Sequence, residues 1–194
     1  SVYTQIYFLI CIKIVMDTHN DTVQKIDIEK NYDTEHQWSL YAHYWTNERK
    51  NYTNDYEKIH TVSTVQDFWR MFNNIPNPSS FLNEMVLING KQVVTFSFFK
   101  SNIKPEWEDE HNEKGSEWCY RDHNTNEELD TMWRDMCLYA IGCQIECNGI
   151  RVTYKYNPSG RLVQKTEIWL DHTDGEKEVL RDLCEKFSIA EFQW

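Results

Sequence analysis

The segment Pro105–Glu106–Trp107–Glu108–Asp109–Glu110 sets an aromatic ring directly beside a carboxylate, just after a proline. A flat apolar ring can stack on a planar base. An adjacent carboxylate offers two acceptor oxygens, enough to take two N–H bonds from a guanine edge. A tryptophan next to a glutamate is also a common solvated surface pair. The elements that position the segment therefore decide what it means.

Net charge is −11, from 31 acidic and 20 basic residues. That argues against a broad duplex-binding face, which needs a basic surface, and so against DNA as a partner. It leaves room for a small basic pocket that meets a few phosphates. A length of 194 residues with 40% hydrophobic content fits one domain with a real core plus an extension. Eight Trp and eleven Tyr supply both core and stacking surface.

The cysteines Cys11, Cys119, Cys137, Cys143, Cys147 and Cys184 form no CxxC pair, and no histidine stands at finger spacing. Reduced, mostly buried thiols in a cytoplasmic protein are expected. The Asn51–Tyr52–Thr53 sequon then reads as coincidental. No Ser-His-Asp arrangement, phosphate-binding glycine loop or metal constellation is visible, so neither enzymatic activity nor a cofactor is expected. Val2 to Met16 is apolar but broken by Lys13, and it falls short of the roughly 20 residues that cross a bilayer. No small-residue cleavage site follows it. A buried or pairing strand is the expectation there, with no membrane partner.

Residues 17–35 read as a polar linker, which divides the chain into an extension (1–34) and a domain (35–194). Trp38 to Trp45 and Tyr56 to Val62 read as strands around a polar loop, 46–54, that contains Tyr52. Ser63 and Gln66 have capping-box spacing before a helix carrying Val65, Phe68, Trp69 and Phe72. Asn89–Gly90 marks a turn before a strand over Lys91–Lys100. Glu117–Asp122 is another strand. A second helix runs from Asn126 to Ile141, with Thr125 and Glu128 as cap, Leu129, Trp133, Met136 and Ala140 as apolar stripe, and Gly142 at its end. Ile150–Tyr156 and Leu162–Leu170 flank the turn Asn157–Pro158–Ser159–Gly160. A third helix starts near Thr173 or Asp174, with Val179, Leu180, Leu183 and Phe187 inward. A short strand, Ile189–Trp194, closes the chain. Strands next to each other in sequence, with dispersed amphipathic helices, predict an α+β fold: an antiparallel sheet with helices on one face.

Five collinear motifs resemble the messenger-RNA cap-binding translation initiation factor 4E family. They are His36–Gln37–Trp38–Ser39–Leu40, Thr64–Val65–Gln66–Asp67–Phe68–Trp69, the run from Phe99 to Glu110, Trp133 through Gly142, and Ile168–Trp169. The resemblance implies a strongly curved antiparallel sheet backed by three helices on its convex face, in a single domain. It also implies non-enzymatic binding of the 7-methylguanosine 5′ cap of messenger RNA in the concave face. Methylation at N7 makes guanine cationic, and a cationic plane between aromatic rings gains stacking and cation–π attraction.

By the resemblance, Trp107 and Tyr52 are the two stacking rings, with Tyr52 standing where the family usually has Trp. Glu108 reads the guanine edge, and Trp169 lies near the base's methyl group. The phosphate cations remain open among Lys155, Arg161 and Lys165. Arg161, Lys165 and Trp169 differ by even numbers and so fall on one strand face. Glu117 occupies a usually basic position and would repel phosphate, with Arg121 as an offset. A second, convex groove is implied at Val65, Trp69, Asp135 and Leu138. It would receive a tyrosine- and leucine-bearing helix from an initiation factor 4G-type scaffold or a 4E-binding repressor. Arg134 replaces a usual leucine there. The leading reading is a cap-binding initiation factor. A cap-binding repressor that does not engage the scaffold is the alternative, and a carbohydrate-binding module is a distant third.

Overall fold

Apolar side chains at every second position decide how this sheet faces its core. The computed structural model describes residues 31–45, 55–82, 85–121, 123–143, 145–157, 159–171 and 176–187. In chain order these form β1 (Asp33–Tyr44), β2 (Tyr56–Thr64), α1 (Val65–Phe72), a 3-10 turn at Pro78–Ser80, β3 (Leu87–Ile88), β4 (Lys91–Lys100), β5 (Ser116–Tyr120), α2 (Asn126–Ile141), β6 (Gly149–Tyr156), β7 (Leu162–Leu170) and α3 (Glu176–Phe187). The seven strands make one curved antiparallel sheet in the order β2-β1-β4-β6-β7-β5, with β3 paired to β4. Three helices cover its convex face.

From β1, Trp38, Leu40, Ala42 and Tyr44 enter the main core. They meet Phe96 and Phe98 of β4, Ile150 and Val152 of β6, and Ile168 and Leu170 of β7. Trp38 stacks on Phe98, their ring centroids 5.3 Å apart. Against this layer α2 buries Leu129, Trp133, Met136 and Ala140, and α3 buries Leu180 and Leu183. The stripe and the cap expected for α2 are both present. The Thr125 hydroxyl accepts from Glu128 N (3.1 Å), and Glu128 Oε2 accepts from Asn124 N (2.8 Å).

Two expectations are corrected. The cap of α1 is Thr64, whose hydroxyl accepts from Asp67 N at 3.0 Å, and not Ser63. Gln66 instead accepts the N–H of Tyr32 at 3.0 Å, while Val65 N donates to Tyr32 O at 2.9 Å. Those bonds explain the second correction. The stretch taken as linker through residue 35 already belongs to β1 at Asp33, which pairs with Thr64. The strands expected at 2–16 and 189–194, and the loop with Tyr52, lie outside the described residues.

The concave side of the sheet holds a smaller cluster of Tyr41, Phe99, Ile103 and Trp169, with Tyr56 against it. Gly149 makes that cluster possible. It stands opposite Phe99 in β4 and Trp169 in β7, and a Cβ there would overlap the Phe99 ring. Without one, Phe99 lies across β6 and meets Trp169 edge-on at 5.5 Å. The same face carries Glu167, which is wholly buried between Arg151 of β6 and Cys119 of β5. Burial first, and then a hydrogen bond shared with the Glu117 carboxylate, pushes the Glu167 carboxyl up to about 7.

Gly149→Ala is expected to cost about 1–3 kcal/mol by overpacking, read as a lower urea midpoint with an unchanged slope. The buried carboxyl gives a pH signature. In the unfolded chain Glu167 ionises near 4.5, whereas in the fold it keeps its proton up to about 7. The stability held by the neutral form is therefore full below pH 4.5 and lost as pH rises through 7. Glu167→Gln stays neutral throughout. Its melting temperature should match wild type at pH 5 and exceed it at pH 8.

Candidate functional site

The loop from Ser101 to Gly115 is built from inside by short polar side chains. Asp109 accepts from Lys104 N (2.9 Å) with one oxygen and from His111 N (3.0 Å) with the other. Those bonds, together with His111 Nδ1 at 2.9 Å, overcome the effect of burial and hold the Asp109 carboxyl below its ordinary range. Asn112 is buried and donates to Lys104 O (2.8 Å) and Glu106 O (2.9 Å). Asn148 reaches across from the start of β6 to His111 O (2.8 Å) and to Asn112 Oδ1 (3.1 Å). The Tyr56 hydroxyl donates to Glu106 Oε2 at 3.2 Å. Its pKa is pushed up to about 12, by burial first and then by that carboxylate.

This frame presents Trp107 and Glu108 at the surface. Trp107 is 44% exposed, and one face of its ring rests on Trp169, with centroids 4.2 Å apart and planes 30° apart. That spacing leaves no room for a base between the two indoles. The free face of Trp107 is the one open to stacking. Glu108 is exposed beside it and makes no ion pair among the described residues. Trp169 is 1% exposed, on the floor beneath.

Arg151 ties loop to floor. Its Nη2 donates to Pro105 O at 2.5 Å, its Nε donates to Ser97 Oγ at 3.0 Å, and its guanidinium lies 4.5 Å from the Trp169 ring centroid. Because Arg151 donates to Ser97, the serine hydroxyl hydrogen is free to point at His43 Nε2, 2.7 Å away. Burial, and then the charges of Arg151 and Lys155, hold the His43 pKa well below its ordinary value. The ring is thus a neutral acceptor. Ser97 is wholly buried, so this serine–histidine contact is internal to the sheet.

The three expected phosphate cations have different surroundings. Lys155 of β6 is half-buried and makes no ion pair among the described residues. Burial first, then the neighbouring charges of Lys165 and Arg151, lower its pKa. Lys165 of β7 is bonded to two carboxylates: Glu117 Oε1 at 3.3 Å and Glu167 Oε1, the closer of the pair. Arg161 lies one residue before β7, exposed in the turn, where its backbone N–H donates to Asn157 Oδ1 at 2.9 Å. Strand alternation therefore does not extend to it, which corrects the inference that placed it on the face of Lys165 and Trp169. Glu117 is offset by Lys165; Arg121, expected in that role, lies exposed just past the end of β5.

On the convex side, Phe68 is wholly buried and Trp69 is half-buried, edge-on to Phe68 at 5.4 Å. One ring of this adjacent pair turns inward and the other lies at the margin. The Trp69 Nε1 is buried with no hydrogen-bond partner among the described residues. Val65 is buried, and Asp135 is partly exposed and bonded by Arg134 Nε at 2.7 Å. Leu138 is 0% exposed. It belongs to the inner stripe of α2, because Cys137 and Leu138 both face inward there. It offers no surface as the groove expectation required.

Sequence reasoning missed Arg151, Glu167, Asn112, Asn148, Tyr56 and the His43–Ser97 pair. Two of these were within reach. Arg151 is an even step from Lys155, and Glu167 an even step from Lys165 and Trp169. The others depend on contacts between distant segments.

Comparison with known proteins agrees with this architecture. The family model described as eukaryotic initiation factor 4E matches residues 33–190. Eukaryotic translation initiation factor 4E1 of Drosophila melanogaster is 34% identical over 145 residues, covering 74% of this chain and 51% of its own. Eukaryotic translation initiation factor 4E-2 of Schizosaccharomyces pombe is 26% identical over 158 residues, covering 81% of this chain and 61% of its own. The chain thus spans between half and two thirds of the length of these curated relatives. Among solved structures, schistosome eIF4E complexed with m7GpppG and 4E-BP superposes with a TM-score of 0.65 at 23% identity, over 84% of this chain and 88% of that one. Caenorhabditis elegans eIF4E-3, solved with the 4E-binding protein Mextli and a cap analog, gives 0.67 at 21% identity, over 84% and 92%. At that identity the structural likeness speaks for the fold, and the family match over residues 33–190 speaks for descent: the chain belongs to the eukaryotic initiation factor 4E family.

Proposed function

We propose that this protein binds the 7-methylguanosine 5′ cap of messenger RNA in the concave face of its sheet and recruits the message for translation initiation through a scaffold partner. The observation that carries the reading is an exposed Trp107 ring beside a Glu108 carboxylate that makes no ion pair among the described residues, on a loop braced by Asp109, Asn112 and Arg151. A cationic base stacks on the free face of Trp107, with Tyr52 as the second ring. Glu108 accepts from N1–H and N2–H₂ of guanine. Adenine presents the wrong donor pattern, and leaving that carboxylate unpaired costs about 1–3 kcal/mol. Trp169 supports the inner face, and the phosphates run toward the β6–β7 hairpin, where which of Lys155, Lys165 and Arg161 meets them is open. The binding unit is residues 35–194, extended back to Asp33 where β1 begins. No catalytic step and no cofactor belong to this reading, and its setting is the cytoplasm.

The relatives solved with 4E-BP or Mextli motivate the second surface. We place a helical partner over Val65, Trp69 and Asp135, with Leu138 beneath.

Two experiments address these surfaces. Trp107→Ala removes the stacking ring, worth roughly 1–3 kcal/mol per base. Quenching of intrinsic fluorescence by 7-methyl-GTP should weaken about tenfold or more, with GTP as the unmethylated control. Wild-type affinity in that variant would remove the stacking model. Trp69→Ala should leave 7-methyl-GTP binding intact while losing capture of a 4G-type motif peptide. Loss of both would make Trp69 a core residue. Failure of the wild-type protein to capture the peptide would favour the repressor reading.

A further inference from the structure

The acidic pair beside Lys165 has no place in simple phosphate recognition. Glu117 projects from β5 and Glu167 from β7, and both oxygens facing Lys165 bond its ammonium. The Glu167 side chain is wholly buried, with its Oε2 lacking a hydrogen-bond donor among the described residues. It cannot follow Lys165 outward without opening the sheet. The groups facing this cluster are Arg151 and Lys155 from β6, Cys119 from β5 and Arg121 beyond the end of β5. Arg151 is already committed to Pro105 O, Ser97 and Trp169. The Lys155 side chain, by contrast, makes neither a hydrogen bond nor an ion pair among the described residues. A cation bonded to both Glu117 and Glu167 must leave both to meet a phosphate, and the buried Glu167 carboxyl oxygen then loses its donor, which is costly.

We infer that Glu117 and Glu167 are specificity-determining residues that hold Lys165 out of the phosphate contact, leaving Lys155 as the strand cation that meets the first phosphates. This inference rests on the cap-binding reading and refines it. The ligand class follows: a 7-methylguanosine nucleotide recognised mainly through its base, with affinity rising little from mono- to triphosphate. With Glu167 holding its proton, the Glu117 carboxylate neutralises Lys165, so this cluster offers the outer phosphates no net positive charge.

The test is fluorescence titration of the full chain with 7-methylguanosine mono-, di- and triphosphate, with thermal melts to confirm folding of each variant. In wild type the triphosphate should bind within about fivefold of the monophosphate, the scale of one weak exposed ion pair. Glu117→Gln, at a partly exposed site, should widen that ratio by about fivefold. The double variant Glu117→Gln with Lys165→Met keeps the wild-type net charge. It should bind the triphosphate within about twofold of wild type, whereas Lys155→Met should lose about tenfold. An unchanged ratio in Glu117→Gln would overturn the inference. So would a double variant that loses triphosphate affinity as severely as Lys155→Met. If no methylated nucleotide quenches the folded wild-type protein, the cap-binding reading itself fails and this inference falls with it.

Discussion

The Arg151 guanidinium is the contact on which the concave face depends. It stands in the middle of β6, where a strand covered on both sides would ordinarily carry an apolar residue. Its planar fork of donors reaches Ser97 on one side and the Pro105 carbonyl on the other, while its face lies on Trp169. A lysine in that position would be a point charge and could not make all three contacts. The loop that presents Trp107 is thereby fixed to the sheet through its own backbone, at the proline two residues before that ring. The ring and the carboxylate beside it take their position from that bond together with those of Asp109, Asn112 and Asn148.

Placing a cation in the sheet obliges the neighbouring strands to answer it. Glu167 stands opposite Arg151 in register, and His43 is held neutral near it. Glu117 and Lys165 complete the set. Burial holds a proton on Glu167, while the bonds from Lys165 and Glu167 outweigh burial at Glu117 and keep its carboxyl below the ordinary range. The local arrangement differs from the net charge of −11, which describes the whole chain and says little about this face.

Two layers of packing keep these polar contacts apart from the core. The convex layer is aromatic and aliphatic, from Trp38 and Phe98 to Trp133 and Met136. The concave layer is small and aromatic, organised by Phe99 and Trp169 around the space that Gly149 leaves open. A single missing side chain therefore sets how closely β4, β6 and β7 share their aromatic contacts. On the helical side, Trp69 shares its helix with the buried Phe68, so the core and the edge of the proposed partner surface are one packed unit.

Much of the architecture was legible in the chain. Lys91–Lys100, Asn126–Ile141 and Leu162–Leu170 match their expected bounds, because period and caps are local properties. The order of motifs led to the family, and the run around Trp107 and Glu108 stood out through residue type alone. The local signals failed where two choices were equivalent at short range. Ser63 and Thr64 could each cap a helix, and only the bonds of Tyr32 to Gln66 and Val65 chose between them. Leu138 fell inside because α2 is buried over a wider arc than one stripe requires. Arg161 matched the parity of Lys165, yet the strand starts one residue after it. What tertiary structure alone decided is the pairing of charges. Which carboxylate meets Lys165, and which carbonyl meets Arg151, depends on segments brought together from positions 97, 105, 117, 151, 165 and 167. Sequence spacing determines which face a side chain takes. Long-range pairing determines what it finds there.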